Sequence, residues 1–303
     1  FEYETGKHHL DFSNAHKASF FEYFQEVTDQ KAAGSKSNHS IWVSTLKHLR
    51  QFHKLPDLTF EEVDQLFLEG FRHYLMHKAR CKSATPLSRN TQSAYFNKLR
   101  AALNQAEQER LLPDNPVRRV KAIQGEKNKR VYLTEDEVRA LAQAECRYDV
   151  LKRAFLFSCC TGLRWSDIHK LTWAELEPFY GHYRIVFTQK KTSGLQYLDL
   201  NDMAMQLMGR PGKATERIFK GLKYSAWHNM ELTRWALQAG ITKKVTFHSA
   251  RHSFAVIQLN RGVDIYALSR LLGHSELRTT EIYADILESR RRDAMLDFPN
   301  VLE

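Results

Sequence analysis

Two stretches near the C-terminal end decide the fold. They are Thr246-Phe-His-Ser-Ala-Arg-His-Ser-Phe-Ala255 and Leu271-Leu-Gly-His-Ser-Glu-Leu-Arg-Thr-Thr-Glu-Ile-Tyr-Ala284. They set out His248, Arg251, His274 and Tyr283 in order, and His248 and Arg251 share a helical face at i, i+3. Upstream, Thr161-Gly-Leu-Arg-Trp-Ser-Asp-Ile168 carries Arg164 and Asp167, and Lys191 sits before the turn of a predicted hairpin. Two guanidinium groups suit bidentate grip on the non-bridging oxygens of a phosphodiester. A phenol with a pKa near ~10 is barely ionised at neutral pH, so as a nucleophile it needs a proton acceptor and charge neutralisation nearby. His77-Lys-Ala-Arg80 repeats the His-x-x-Arg spacing and serves as a control. The offsets that lead from His248 to His274 and Tyr283 lead from His77 to Leu103 and Leu112, so that copy reads as a solvated helix face.

These phrases resemble the tyrosine recombinase (phage integrase) family, most of all the integrases of phages and mobile elements, from about His16 to about Arg291. The resemblance implies a helical, SAM-like core-binding domain followed by an α+β catalytic domain. It implies six catalytic residues: Arg164, Lys191, His248, Arg251, His274 and Tyr283. His248 would take the tyrosine proton, His274 would donate to the phosphate, and Lys191 would protonate the leaving 5′ oxygen, with Lys190 as its competitor. Asp167 would orient the histidines from behind, although the family more often has Glu there. The implied reaction cuts and rejoins DNA through a 3′-phosphotyrosyl link and a Holliday junction, without metal, nucleotide or other cofactor. A type IB topoisomerase and a non-catalytic DNA-binding protein on the same fold are the rival readings.

Bulk properties agree with a polyanionic partner. The 303 residues carry 45 Lys+Arg against 35 Asp+Glu, a net charge of +10, and 43% hydrophobic content supports globular packing in two domains. Four cysteines (Cys81, Cys146, Cys159, Cys160) lack Cys-x-x-Cys spacing, which suits a reducing cytosol and gives no metal site. Gly209-Arg-Pro-Gly-Lys-Ala214 contains Gly-Lys, but Leu207 and Ala214 stand where a phosphate loop needs Gly and Ser/Thr. With no apolar run of membrane-spanning length, the chain reads as soluble and cytoplasmic, associated with the nucleoid. Opening on Phe1 rather than Met reads as a fragment or processed chain.

Hydrophobic periodicity predicts a mainly helical protein with a small β-hairpin or sheet. Helices are expected over 18–33, over 40–53 with Ile41, Val43, Leu46, Leu49 and Phe52 inward, from the Thr59–Glu62 capping box through Leu66, Phe67, Phe71 and Leu75, and over Asn90–Glu109. A second capping box, Thr134–Glu137, opens the second domain, and a helix over Val150–Ser158 ends at Thr161-Gly162. Tyr183–Gln189 and Leu195–Leu200 form the hairpin around Lys190-Lys-Thr-Ser-Gly194, and helices resume from Asp202, one of them near Ser225–Ala239. The expected layout is an N-terminal segment 1–15, a core-binding domain 16–117, a basic linker 118–131 and a catalytic domain 132–303. DNA contacts are expected from the polar start of the fourth helix, Ser88, Arg89, Asn90, Thr91, Tyr95 and Lys98. The linker adds six cations: Arg118, Arg119, Lys121, Lys127, Lys129 and Arg130. Partners are therefore double-stranded DNA, further copies of the chain in a tetramer, and an accessory DNA-bending protein. In the tail after Ser289, Met295, Leu296, Phe298, Val301 and Leu302 need a covering surface, on the same protomer or, as the resemblance implies, on a neighbour.

Overall fold

The computed structural model describes residues 19–126, 130–190, 194–274 and 276–283. Lys127, Lys129, Lys191 and the tail lie outside them. The chain divides into two compact units, 1–128 and 129–303, each with its own core.

The first unit packs four helices, α1 (Phe20–Gln30), α2 (Lys36–His53), α3 (Gln65–His77) and α4 (Arg89–Gln108). Ser19 caps α1 by accepting Glu22 N–H, and Phe20, Phe21, Phe24 and Val27 enter the core, as their spacing predicts. The core face of α2 is made by Trp42, Leu46 and Leu49, whereas Val43 is exposed. Only half of the Thr59–Glu62 box forms: the Thr59 N–H and hydroxyl both donate to the Glu62 carboxylate at 2.8 Å, and they close a turn. Helix α3 starts later, behind the Asp64 cap, so Leu68 is buried and Leu66 faces outward. Two capping signals five residues apart compete here, and the one with apolar residues in phase with the core sets the helix. Residues 118–131, read as a linker, begin inside this unit: a 3₁₀ turn at Pro116–Arg119 leads to Val120 and Ile123, both buried in the same core.

The second unit begins with α5 (Glu135–Gln143), whose Thr134–Glu137 capping box is complete, and α6 (Asp149–Thr161). Gly162 ends α6 in the left-handed region at φ 70°, and the chain turns at Arg164 into α7 (Trp165–Lys170). An antiparallel sheet of β1 (Leu176–Phe179), β2 (His182–Thr188) and β3 (Leu195–Leu200) follows, in that order. The hairpin β2–β3 matches its reading; β1 escaped it because Leu-Glu-Pro-Phe is too short to alternate visibly. Beyond it come α8 (Asp202–Met208), α9 (Ala226–Gln238), α10 (Phe247–Asn260), α11 (Ile265–Leu272) and α12 (Arg278–Glu281). Helix α10 is nearly encased and packs against α6 on one side and α11 on the other. Phe254, Leu259, Leu268, Leu272 and the ring of Tyr283 form a separate small cluster between α10 and α11. The fold is thus mainly helical with a small sheet. No helix among the described residues is long and apolar enough to cross a membrane.

Candidate active site

Three helix ends and one buried helix bring Arg164, His248, Arg251, His274 and Tyr283 together in the second unit. Thr246 caps α10 through a box with Ser249, which fixes the phase of the helix so that His248, Arg251 and His252 share one face. Arg164 stands at the N-cap of α7, just after the left-handed turn at Gly162. His274 follows Gly273, which ends α11 at φ 60°. A Cβ at Gly273 would overlap the Gln189 side chain, so glycine lets the end of β2 approach this turn.

Arg251 is only 2% exposed. One Nη1 hydrogen goes to Gly162 O at 2.7 Å, while Nη2 donates to Leu272 O at 2.7 Å and to His274 Nε2 at 2.9 Å. Of its five donors, Nε–H and one Nη1 hydrogen remain for a ligand. Burial, and then the neighbouring Arg164, pull its pKa down to about 9. The half-buried Arg164 is likewise lowered by burial, partly offset by Asp167 and Tyr283. Its Nη1 is buried without a hydrogen-bond partner, unusual for so polar an atom.

Because Arg251 donates to Nε2 of His274, the proton of this imidazole lies on Nδ1 and is donated to Thr280 Oγ1 at 2.8 Å. Donation to a phosphate from Nε2 therefore requires Arg251 to release it and Nε2 to gain a proton. Asp167 is fully buried, and its Oδ1 accepts the Lys190 N–H at 2.9 Å. That hydrogen bond ties down the start of the β2–β3 loop. Lys191, in that loop, lies outside the described residues.

Tyr283 is 2% exposed. Its hydroxyl is 2.5 Å from Nδ1 of His252. Burial raises its pKa, while Arg251, Arg130 and Arg164 oppose the rise. His248, the expected proton acceptor, is exposed and packs edge-to-face on His252 at 4.5 Å between ring centroids. His252 itself was missed by sequence reasoning, although it stands inside the phrase quoted first. The available signal was its i+4 spacing from His248, which places both rings on one helix face.

Most of the residues expected to meet DNA also have partners within the first unit. Ser88 caps α4, Asn90 Oδ1 accepts Glu126 N–H, Lys98 donates to Asn38 at 2.7 Å, and the Tyr95 ring lies tilted against His48. Thr91 shares a hydroxyl bond with Ser88, and Arg118 and Arg119 pair with Glu107 and Asp114. These bonds serve the unit's own structure. Arg89 and Lys121 line a concavity of about 350 Å³ with Arg72, whose Nε is buried without a partner. Arg130, read as part of the linker, is exposed in the second unit and near enough to Tyr283 and His252 to act on both.

Residues 19–123 match the phage integrase SAM-like domain, and residues 131–290 match the phage integrase family. The tyrosine recombinase XerD of Shewanella oneidensis is 26% identical over 287 residues, covering 86% of this chain and 89% of its own. XerC of Pelotomaculum thermopropionicum is 26% identical, covering 73% and 77%. Among solved structures, the Tn1549 transposon integrase in complex with transposon right-end DNA superposes with a TM-score of 0.72 at 17% identity, covering 93% of this chain and 100% of that one. A lambda integrase dimer bound to a core site gives 0.68 at 18% identity, covering 88% and 95%. The chain belongs to the phage integrase family of tyrosine recombinases, enzymes that cut and rejoin DNA.

Proposed function

We propose that this chain performs site-specific recombination with Tyr283 as nucleophile and the Arg164–Arg251 pair as the seat of the scissile phosphate. The observation that carries the reading is the buried, unpartnered Nη1 of Arg164 beside a second buried arginine and the Tyr283 phenol. The phenol oxygen attacks phosphorus, the bond from phosphorus to the 5′ oxygen breaks, and that oxygen takes a proton from Lys191. His248 receives the phenol proton, and the arginines hold the charge that builds on the non-bridging oxygens. The 3′-phosphotyrosyl link conserves the phosphodiester energy, so attack by a 5′ hydroxyl of another strand rejoins DNA and yields a Holliday junction. Relatives spanning most of the chain are recombinases and integrases, which favours this chemistry over topoisomerase action or binding alone.

Four protomers on two duplexes carry out the exchange, with the tail of one docked on the next and an accessory protein bending the DNA, in association with the nucleoid. The layout of core-binding domain, basic linker and catalytic domain lets the chain close around duplex DNA from two sides, with Arg89, Lys121, Lys127, Lys129 and Arg130 on phosphates.

Tyr283→Phe tests the assignment: on a nicked suicide substrate it should bind like the parent protein and form no covalent complex. Persistent trapping would remove Tyr283 from its role. For the acid, a 5′-bridging phosphorothiolate, whose sulfur leaves without a proton, should restore cleavage to Lys191→Ala. Rescue of Lys190→Ala instead would transfer the role to Lys190.

A further inference from the structure

His252 is a buried titratable group that the chemistry above does not use. It is 5% exposed, lies one turn beyond His248 on α10, and its Nδ1 is 2.5 Å from the hydroxyl of Tyr283, 31 residues away in sequence. The Tyr283 ring is packed among Phe254, Leu268 and Leu272, so its hydroxyl is the one polar end of an otherwise apolar side chain and needs a buried partner.

We propose that His252 is a positioning residue for the Tyr283 nucleophile, its Nδ1 accepting the phenol O–H and thereby aiming the oxygen's lone pairs away from the protein interior. The inference rests on Tyr283 being the nucleophile. Three features of the site support it. The charged and titratable groups around this imidazole, His248, Arg130, Arg251 and His274, all disfavour a positive charge on it, as does burial, so Nδ1 keeps its lone pair. Of the two directions open to the bond, phenol O–H to a bare imidazole nitrogen is the stronger, because the phenol is the more acidic donor. With its hydrogen committed to Nδ1, the oxygen turns its lone pairs elsewhere, under the pull of Arg251, Arg130 and Arg164. The phosphate would meet an oriented nucleophile rather than a freely rotating hydroxyl. The imidazole orients the resting hydroxyl and is not the proton's final acceptor: its pKa of about 3 is too low to hold the phenol's proton at neutral pH, and the proton leaves this bond for His248 as attack begins.

Two amide variants separate this role from simple space filling. The Asn side-chain oxygen overlays Nδ1 of His, whereas that of Gln overlays Nε2. In single-turnover cleavage of a suicide substrate by the full chain, His252→Asn should stay within about threefold of the parent rate, and His252→Gln should fall by about tenfold or more, the scale of one lost hydrogen bond. DNA affinity should be unchanged in both. With 3-fluorotyrosine placed at position 283, the ¹⁹F resonance of the phenol should match the parent in the Asn variant and move in the Gln variant. Equal rates for the two amides, or a faster Gln variant, would overturn the proposal, as would a ¹⁹F resonance that ignores both substitutions. Tyr283→Phe run beside them keeps the two questions apart. Covalent trapping by that variant removes the underlying assignment, while its loss together with indifference to residue 252 removes only the role of His252.

Discussion

The chemistry of the site comes from charged and polar side chains held where water cannot compensate them, and His252 shows the cost. Burial and the surrounding His248, Arg130, Arg251 and His274 hold its pKa at about 3, below the ordinary 6.5. Between those values the unfolded chain takes up a proton that the native protein refuses, so this residue's stabilising contribution, complete above pH 6.5, is lost progressively as the pH falls toward 3. The slope is ~1.4 kcal/mol per pH unit. Melting curves between pH 7 and 4 should therefore decline more steeply for the parent protein than for His252→Asn, and parallel declines would show that residue 252 does not take part in acid unfolding. Asp167 gives a second prediction. Its Oδ1 holds the Lys190 N–H, and Asn can still accept that bond, so Asp167→Asn should keep the loop anchored and lose only the charge near Arg164. Asp167→Ala should in addition release the loop. Leaving-group protonation should then suffer, and a 5′-phosphorothiolate should recover more activity for Ala than for Asn; equal recovery would mean that the loop anchor is irrelevant to the acid.

At the scale of elements, helix termini do most of the positioning. Gly162 ends α6 at φ 70°, and its carbonyl anchors Arg251. An added Cβ would lie 2.6 Å from the Phe254 ring and 3.0 Å from Leu272, with no room on either side. Gly162→Ala should destabilise the second unit by roughly 2–4 kcal/mol through left-handed strain and overpacking together. It should also slow cleavage by more than the folded fraction accounts for, since the Arg251 anchor shifts; a variant with parental melting temperature and rate would refute both effects. Much of this was legible beforehand because local rules and the core agree: the Phe20–Val27 face, the Thr134–Glu137 box and the β2–β3 hairpin all formed where periodicity and turn residues put them. Illegible parts were those decided by tertiary competition. Thr59 and Asp64 offered two starts for α3, and only packing chose between them. The partner of Tyr283 was hidden for a similar reason: among three histidines close on α10 and after α11, sequence order cannot say which ring a folded phenol will meet.

For the whole molecule the governing fact is that two units with separate cores each carry an excess of positive charge over a net of +10. If both units touch the DNA backbone, each neutralised phosphate releases condensed counterions, and log K falls with log salt at ~0.9 per contact. Contacts on separate units add in that slope, whereas the affinity gained by joining them depends on the chain between, which confines the second unit near its site once the first is bound. Expressed separately, residues 19–126 and 130–303 should then show salt slopes that sum to that of the full chain. Their separate binding constants should both be far weaker than the whole. Neutralising Lys127, Lys129 and Arg130 together should lower the full chain's slope by about three if each of them meets a phosphate, and by nothing if they merely connect. Titrations of one labelled duplex from 50 to 300 mM salt would decide it. A full-chain slope equal to that of the second unit alone would mean that the helical unit does not touch DNA, and the closing of two units around the duplex would have to be abandoned.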